Sequence, residues 1–116
     1  MAPAPVDLLQ GTLEFLILKT LSWGPLHGFA IGRWIRQRTD DALEIEEGAL
    51  YPALHRMERR GWIEADWGVT ENNRRAKYYE ITRLGREQLK REESSWTRYV
   101  AAVSKIMAPP LARAGR

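Results

Sequence analysis

The 116-residue chain is 44% hydrophobic and 28% charged, has a formal net charge of +3, and contains no cysteine. These values suit one globular domain with a modest core, and the lack of cysteine excludes a disulfide scaffold, a thiolate metal site and a cysteine nucleophile. The basic balance permits a nucleic-acid partner without requiring one, since many proteins without such a partner are equally basic.

The first part of the chain predicts neither a membrane span nor a secretion signal. The most apolar run, residues 13–21, is interrupted by Glu14 and Lys19 and is far shorter than the ~20 apolar residues of a membrane helix. The opening MAPAPVD has no basic start and no apolar signal core. We therefore expect a cytoplasmic protein with no membrane partner, in which residues 1–7 form a flexible lead-in.

Two helices are predicted next. The first, over residues 8–22, follows Asp7, a favourable N-cap residue. Its apolar side chains point in nearly every direction, which predicts burial on all sides, and in so short a chain we expect a second chain to cover part of it. The second helix covers about residues 27–38 and has one apolar face. We expect His27 to cap or orient this helix rather than to bind a metal.

The third helix, from Glu46 or Glu47 to Arg60, has two distinct faces. Leu50, Ala53, Leu54 and Met57 form the apolar face. The outward face carries Gly48, Tyr51, Pro52, His55, Arg56 and Arg59. Pro52 falls near the end of the first turn or just beyond it, where its missing N–H costs less than it would in the middle of a helix. Gly61 is predicted to end the helix in the C′ position.

A β-hairpin and a long helix complete the predicted elements. The strands are residues 62–67 and 77–82, and the tip between them contains Asn72-Asn73, which tolerate positive φ. Thr82 is the predicted N-cap of a helix over residues 83–107, on the order of 37 Å long. One small domain cannot cover such a helix, so we expect it to project and to pack against a partner helix.

Three helices followed by a hairpin with a basic tip are typical of a winged helix. The predicted fold is therefore mainly α with a small β-hairpin (α+β). Residues 1–82 form the winged-helix DNA-binding domain, residues 83–108 a C-terminal dimerisation helix, and residues 109–116 a flexible tail.

This fold predicts a surface for double-stranded DNA. The candidate DNA-binding residues are Tyr51, Pro52, His55, Arg56 and Arg59 of the third helix and Arg74, Arg75 and Lys77 of the hairpin. Cations on an exposed helix face often do no more than solvate it, but a cluster at a hairpin tip is hard to explain structurally and suits a phosphate backbone or a minor groove. Tyr51 would donate to a phosphate or pack on a base edge.

Two other classes of function are alternatives to DNA binding. The sequence has no HExxH, no glycine-rich phosphate loop and no nucleophile elbow, so we expect neither an enzyme nor a metal site or cofactor. A winged-helix module whose basic face binds an acidic protein is the alternative to a DNA-binding protein. Discrimination between an operator and a scrambled duplex separates these two.

Three segments resemble the PadR family of bacterial transcription regulators. They are LLQGTLEFLILKTLSWGPLHGFAI, EEGALYPALHRMERRGWI and RRAKYYEITRLG, and the similarity covers about residues 8–107. The single C-terminal helix resembles the short subclass of the family. The resemblance implies a homodimeric repressor of a near-palindromic operator, with the first and last helices forming the dimer. It also implies DNA contacts by Tyr51, Arg74, Arg75 and Lys77.

The resemblance further implies release by a small aromatic effector. In one branch of the family the ligand stacks between paired tryptophans of the last helices. Trp96 matches that tryptophan, and Leu8, Phe15 and Val100 would lie near it. Trp96 equally fits a residue that only packs the dimer core.

Overall fold

The computed structural model describes residues 5–9 and 11–111. Within them the element order is α1 (Leu13–Leu21), β1 (Leu26–His27), α2 (Gly28–Arg38), α3 (Glu47–Arg59), β2 (Ile63–Val69), β3 (Arg75–Ile81) and α4 (Arg83–Met107). The predicted order of three helices, a hairpin and a long helix is confirmed. Residues 1–4 of the predicted lead-in and residues 112–116 of the predicted tail lie outside the described residues.

The start of α1 differs from the prediction. Gly11 has a φ of +83°, and the Thr12 hydroxyl donates to the Leu9 carbonyl at 2.6 Å. This turn delays the helix until Leu13, so the prediction of helix from residue 8 was wrong. Leu8 lies in an irregular segment, which the Val6 N–H ties to the Ala42 carbonyl at 2.8 Å.

The core lies where α1, α2, α3 and the sheet meet. Ile17, Leu18, Ile31, Leu54 and Met57 are all completely buried. The whole apolar face predicted for α3 is buried, and Pro52 lies exposed in its second turn. The buried side chains form one apolar core shared by the three helices and the sheet. Removal of this apolar surface from water on folding is the main contribution to the stability of the domain.

The sheet has three antiparallel strands in the order β1-β3-β2. The hairpin strands extend further than predicted, so only residues 70–74 form the tip. Asn73 has a φ of +60°, in agreement with its predicted place in the turn. The third strand, β1, was not predicted, because two residues carry no periodic signal and are held by pairing of Leu26 with Tyr79 and His27 with Tyr78.

The last helix, α4, begins and ends as predicted. The Thr82 hydroxyl accepts from the Gly85 N–H at 3.0 Å and donates to the Gly61 carbonyl at 2.6 Å. Leu89 is buried against the core, whereas Ile106 and Met107 are 80% and 74% exposed. The helix therefore projects from a molecule that measures 68 × 39 × 22 Å. Among the described residues, no helix has the length and apolar character needed to cross a bilayer.

Candidate nucleic-acid interface

An open groove of about 770 Å³ separates the start of α2 and the outward face of α3 from the hairpin. The hairpin, β2 and β3 with their connecting tip, is hereafter the wing. Five predicted DNA-binding residues line this groove: Tyr51, His55, Arg74, Arg75 and Lys77. Sequence positions more than twenty residues apart are thus brought to one surface.

Tyr51 lies on the α3 wall of the groove and is 40% exposed. Burial of its ring raises the pKa of the Tyr51 hydroxyl above the ordinary 10.0, and the nearby Glu47 carboxylate raises it further. The hydroxyl is therefore protonated at neutral pH and can donate a hydrogen bond to an anionic oxygen.

Arg75 and Lys77 lie on the wing, on the same strand. The Arg75 guanidinium lies 4.5 Å from the ring centroid of Trp67, and Lys77 Nζ lies 3.5 Å from Glu58 Oε1. These partly exposed contacts are individually weak, so both cations remain available to an external anion. Arg74 is exposed at the tip.

Arg56, Arg59 and Pro52 do not line the groove. Arg56 donates from Nε and Nη2 to Glu14 Oε1 at 3.3 and 3.2 Å, and Arg60 donates to the other Glu14 oxygen at 2.8 Å. Arg56 is held at this edge of α3 because α1 packs beside it and supplies a carboxylate, and a DNA contact by Arg56 stays a prediction. Pro52 and Arg59 are exposed elsewhere on α3.

The groove also contains residues that the sequence did not single out. Phe29 of α2 and Trp67 of β2 are 60% and 57% exposed, on opposite walls. Arg33 lies 5.4 Å from the Phe29 ring and 3.7 Å from Glu71 of the tip. The available signal was the i, i+4 spacing of Phe29 and Arg33, which places an aromatic ring outside the apolar face of α2.

His27 caps α2, as predicted. Its Nδ1 accepts from the Ala30 N–H at 3.2 Å, and its ring meets the Tyr78 ring edge-on at 5.4 Å between centroids. The histidine therefore links the start of α2 to the wing. In the described part of the chain, no three histidine or acidic residues are grouped to hold a metal ion.

A separate cavity of about 270 Å³ lies between α1, α4 and the segment before α1. Leu8, Phe15 and Trp96, three of the four predicted effector residues, line it, with 6.2 Å between the Phe15 and Trp96 ring centroids. Val100 does not line this cavity; it lies one turn further along α4 and is 40% exposed. Leu8, Phe15 and Trp96 can therefore contact the same small apolar ligand in this cavity, and Val100 cannot.

Comparison with known proteins gives one consistent result. The model of the "Transcriptional regulator PadR-like family" matches residues 17–91, more than half of the chain. A transcriptional regulator structure from Clostridium thermocellum is 31% identical with a TM-score of 0.79, and the match covers 89% of this chain and 100% of that one.

Two further proteins are similar over most of the chain. A PadR-like transcriptional regulator structure from Bacillus cereus is 28% identical with a TM-score of 0.77, over 88% of this chain and 97% of the other. A protein of Lysinibacillus sphaericus named "Uncharacterized protein X" is 30% identical over 101 residues, which are 87% of this chain and 93% of that protein.

Proposed function

The chain belongs to the PadR-like family of transcriptional regulators, and on that premise we propose that it is a homodimeric repressor that binds a near-palindromic DNA operator in the cytoplasm. The family consists of transcriptional regulators rather than enzymes. DNA binding through a winged helix is the activity that this membership implies.

One observation supports the DNA contact most strongly. The groove combines Tyr51 and His55 of α3 with Arg74, Arg75 and Lys77 of the wing, and Arg33 of α2 adds a further cation. In winged helices the third helix enters the major groove while the hairpin flanks it. We assign base readout to His55, a phosphate or base-edge contact to Tyr51, and backbone contacts to the three wing cations and Arg33.

The exposed half of α4 supports the homodimer. Trp96, Tyr99, Val100, Val103, Ile106 and Met107 are all at least 37% exposed in the single chain. An apolar stripe of this kind along a projecting helix is typical of an interface. Pairing of two copies through α4 and α1 would present two α3 helices, and an operator requires them about 34 Å apart to reach successive major grooves.

The cavity around Leu8, Phe15 and Trp96 supports a small planar aromatic effector as part of the proposal. To test this, planar aromatic compounds are titrated while tryptophan fluorescence is recorded. We expect saturable quenching that is lost in Trp96→Phe and retained in Trp23→Phe, because Trp23 is exposed at the end of α1. Unchanged quenching in Trp96→Phe would leave Trp96 with only a packing role.

The function itself is tested by fluorescence anisotropy with a duplex from upstream of the protein's own gene and a scrambled duplex of equal length, across a salt series. We expect the native duplex to bind about a thousandfold more tightly. Weak and equal binding of both duplexes that disappears near physiological salt would contradict specific readout. A protein-interaction module with a basic face would then be the better interpretation.

A further inference from the structure

Gly28, the first residue of α2, lies directly under the ring of Tyr51. A Cβ atom at position 28 would be 2.7 Å from Cε1, 2.8 Å from the hydroxyl oxygen and 3.0 Å from Cζ of Tyr51. Real Cβ atoms essentially never approach another heavy atom within 3.0 Å, so a side chain at position 28 would force the ring to shift. The ring therefore occupies the space that any other side chain at position 28 would fill.

The backbone of Gly28 gives no other reason for a glycine. The glycines with positive φ in the described part of the chain are Gly11, Gly24 and Gly61. Position 28 is helical, where alanine is favoured over glycine by up to about 1 kcal/mol in a helix interior. The absence of a side chain at position 28 is thus explained by the neighbouring tyrosine and not by local conformation.

The start of α2 is also fixed to the wing. The adjacent residue, His27, pairs with Tyr78 in the sheet and contacts its ring. Gly28 therefore provides a surface that is held in place relative to β3. A Tyr51 ring resting on that surface is positioned relative to α3 and the wing at the same time.

We propose that Gly28 is a positioning residue for DNA recognition, because its missing side chain lets Tyr51 lie against α2 with its hydroxyl in the groove. This inference rests on the proposed DNA-binding function. The atoms that a new Cβ would meet are the far end of a rotatable side chain. In Gly28→Ala the tyrosine turns aside while the fold is kept, so DNA recognition changes more than stability does.

The same helix offers a matched control. A Cβ at Gly32, one turn further along α2, meets only Leu50 Cδ2, at 3.8 Å, which is ordinary van der Waals contact. Gly32→Ala adds the same methyl group to the same helix without touching Tyr51. The gain in helix propensity is larger at Gly32, in the helix interior, than at Gly28 in the first turn, but neither gain acts on the Tyr51 ring.

The experiment measures operator and scrambled-duplex affinity and thermal unfolding for Gly28→Ala and Gly32→Ala, each in the wild-type and the Tyr51→Ala background. We expect Gly28→Ala to weaken operator binding about tenfold and Gly32→Ala to leave it unchanged. In the Tyr51→Ala background, Gly28→Ala should have no further effect, because the ring that the methyl group displaces is absent.

The outcomes separate this inference from the proposed function. If the wild-type protein prefers its operator and Gly28→Ala binds that operator with the same affinity, the positioning role of Gly28 is overturned while the proposed DNA-binding function stands. The same holds if Gly28→Ala weakens binding to the same extent with and without Tyr51, because the effect would then arise from α2 itself. If the wild-type protein does not distinguish the two duplexes, the proposed function fails, and the positioning role fails with it.

Discussion

Arg75 and Lys77 are both held on the wing by neighbours of the same sheet, Arg75 by Trp67 at 4.5 Å and Lys77 by Tyr79 at 6.0 Å. If they contact phosphates, Arg75→Ala and Lys77→Ala should each weaken binding to all duplexes and reduce the slope of log affinity against log salt by about one. Lys90→Ala, exposed on α4, is the control and should leave the slope unchanged. An unaltered slope in the wing variants would remove those cations from the interface.

Glu92 of α4 is a carboxylate with a buried oxygen that has no hydrogen-bond partner among the described residues. Burial raises the pKa of Glu92 above the ordinary 4.5 and outweighs the opposing effect of a hydrogen bond with Gln88, and the Glu14 carboxylate raises the pKa further. A raised folded-state pKa favours the folded protein while the group is protonated, and that contribution is lost as the pH rises through the folded pKa.

Glu92→Gln should therefore unfold at a higher temperature than the wild-type protein at pH 7, with the difference shrinking as the pH falls through the raised folded pKa toward 4.5 and absent at lower pH. The measurement is thermal unfolding as a function of pH, and Glu87→Gln, on the exposed side of α4, serves as the control. A variant that is less stable than wild type at pH 7 would show that Glu92 has a favourable partner there.

At the scale of elements, Glu14 joins α1 to α3 by accepting hydrogen bonds from Arg56 and Arg60. Its side chain is only 20% exposed, so this pair of contacts is better shielded than an ordinary surface ion pair. Glu14→Gln should lower the free energy of unfolding by about 1 kcal/mol. Glu93→Gln breaks the more exposed contact with Lys19 and should lower the free energy of unfolding by less. Equal losses of unfolding free energy in the two variants, measured by denaturant unfolding, would show that shielding from solvent does not strengthen the Glu14 contacts.

The junction of α4 with the sheet depends on Gly85. A Cβ there would collide with the Trp62 carbonyl oxygen and lie 2.9 Å from Ile81 Cγ1, and a backbone oxygen cannot turn aside as a side chain can. Gly85→Ala should cost about 2–3 kcal/mol of unfolding free energy. Gly48→Ala, where nothing lies within 4 Å of the new atom, should be neutral or stabilising. Similar unfolding free energies for Gly85→Ala and Gly48→Ala would contradict the close packing of Gly85 against the Trp62 carbonyl.

At the scale of the whole molecule, the projecting half of α4 is the surface on which the proposed homodimer depends. Val103→Glu combined with Ile106→Glu places two charges on the apolar stripe, where burial of unpaired charge is costly. We expect monomers in sedimentation velocity and loss of tight operator binding. Ala101→Glu, on the opposite side of the same helix, should leave both unchanged. A double variant that remains dimeric would place the interface elsewhere.

The groove exists only in the assembled molecule, because its walls come from α2, α3 and the wing. Sequence patterns identified Tyr51 and His55 as outward residues, since the 3.6-residue period fixes which side of a helix faces the core. The wing cations were identified as a cluster at a predicted hairpin tip. These patterns did not show that Arg33 shares this surface or that Arg56 pairs with Glu14 of α1. Which solvated side chains share a surface is decided by the packing of distant elements.

By itself, the sequence determined the features governed by contacts within a few residues: the bounds of α3 and α4, the caps at His27 and Thr82, and the apolar face of α3. Short-range hydrogen bonds and side-chain periodicity are sufficient for these. Only the tertiary structure decided the strand β1, the partner of Arg56 and the contact between Gly28 and Tyr51. Each of these joins residues far apart in the chain, and no local pattern encodes which distant atoms will meet.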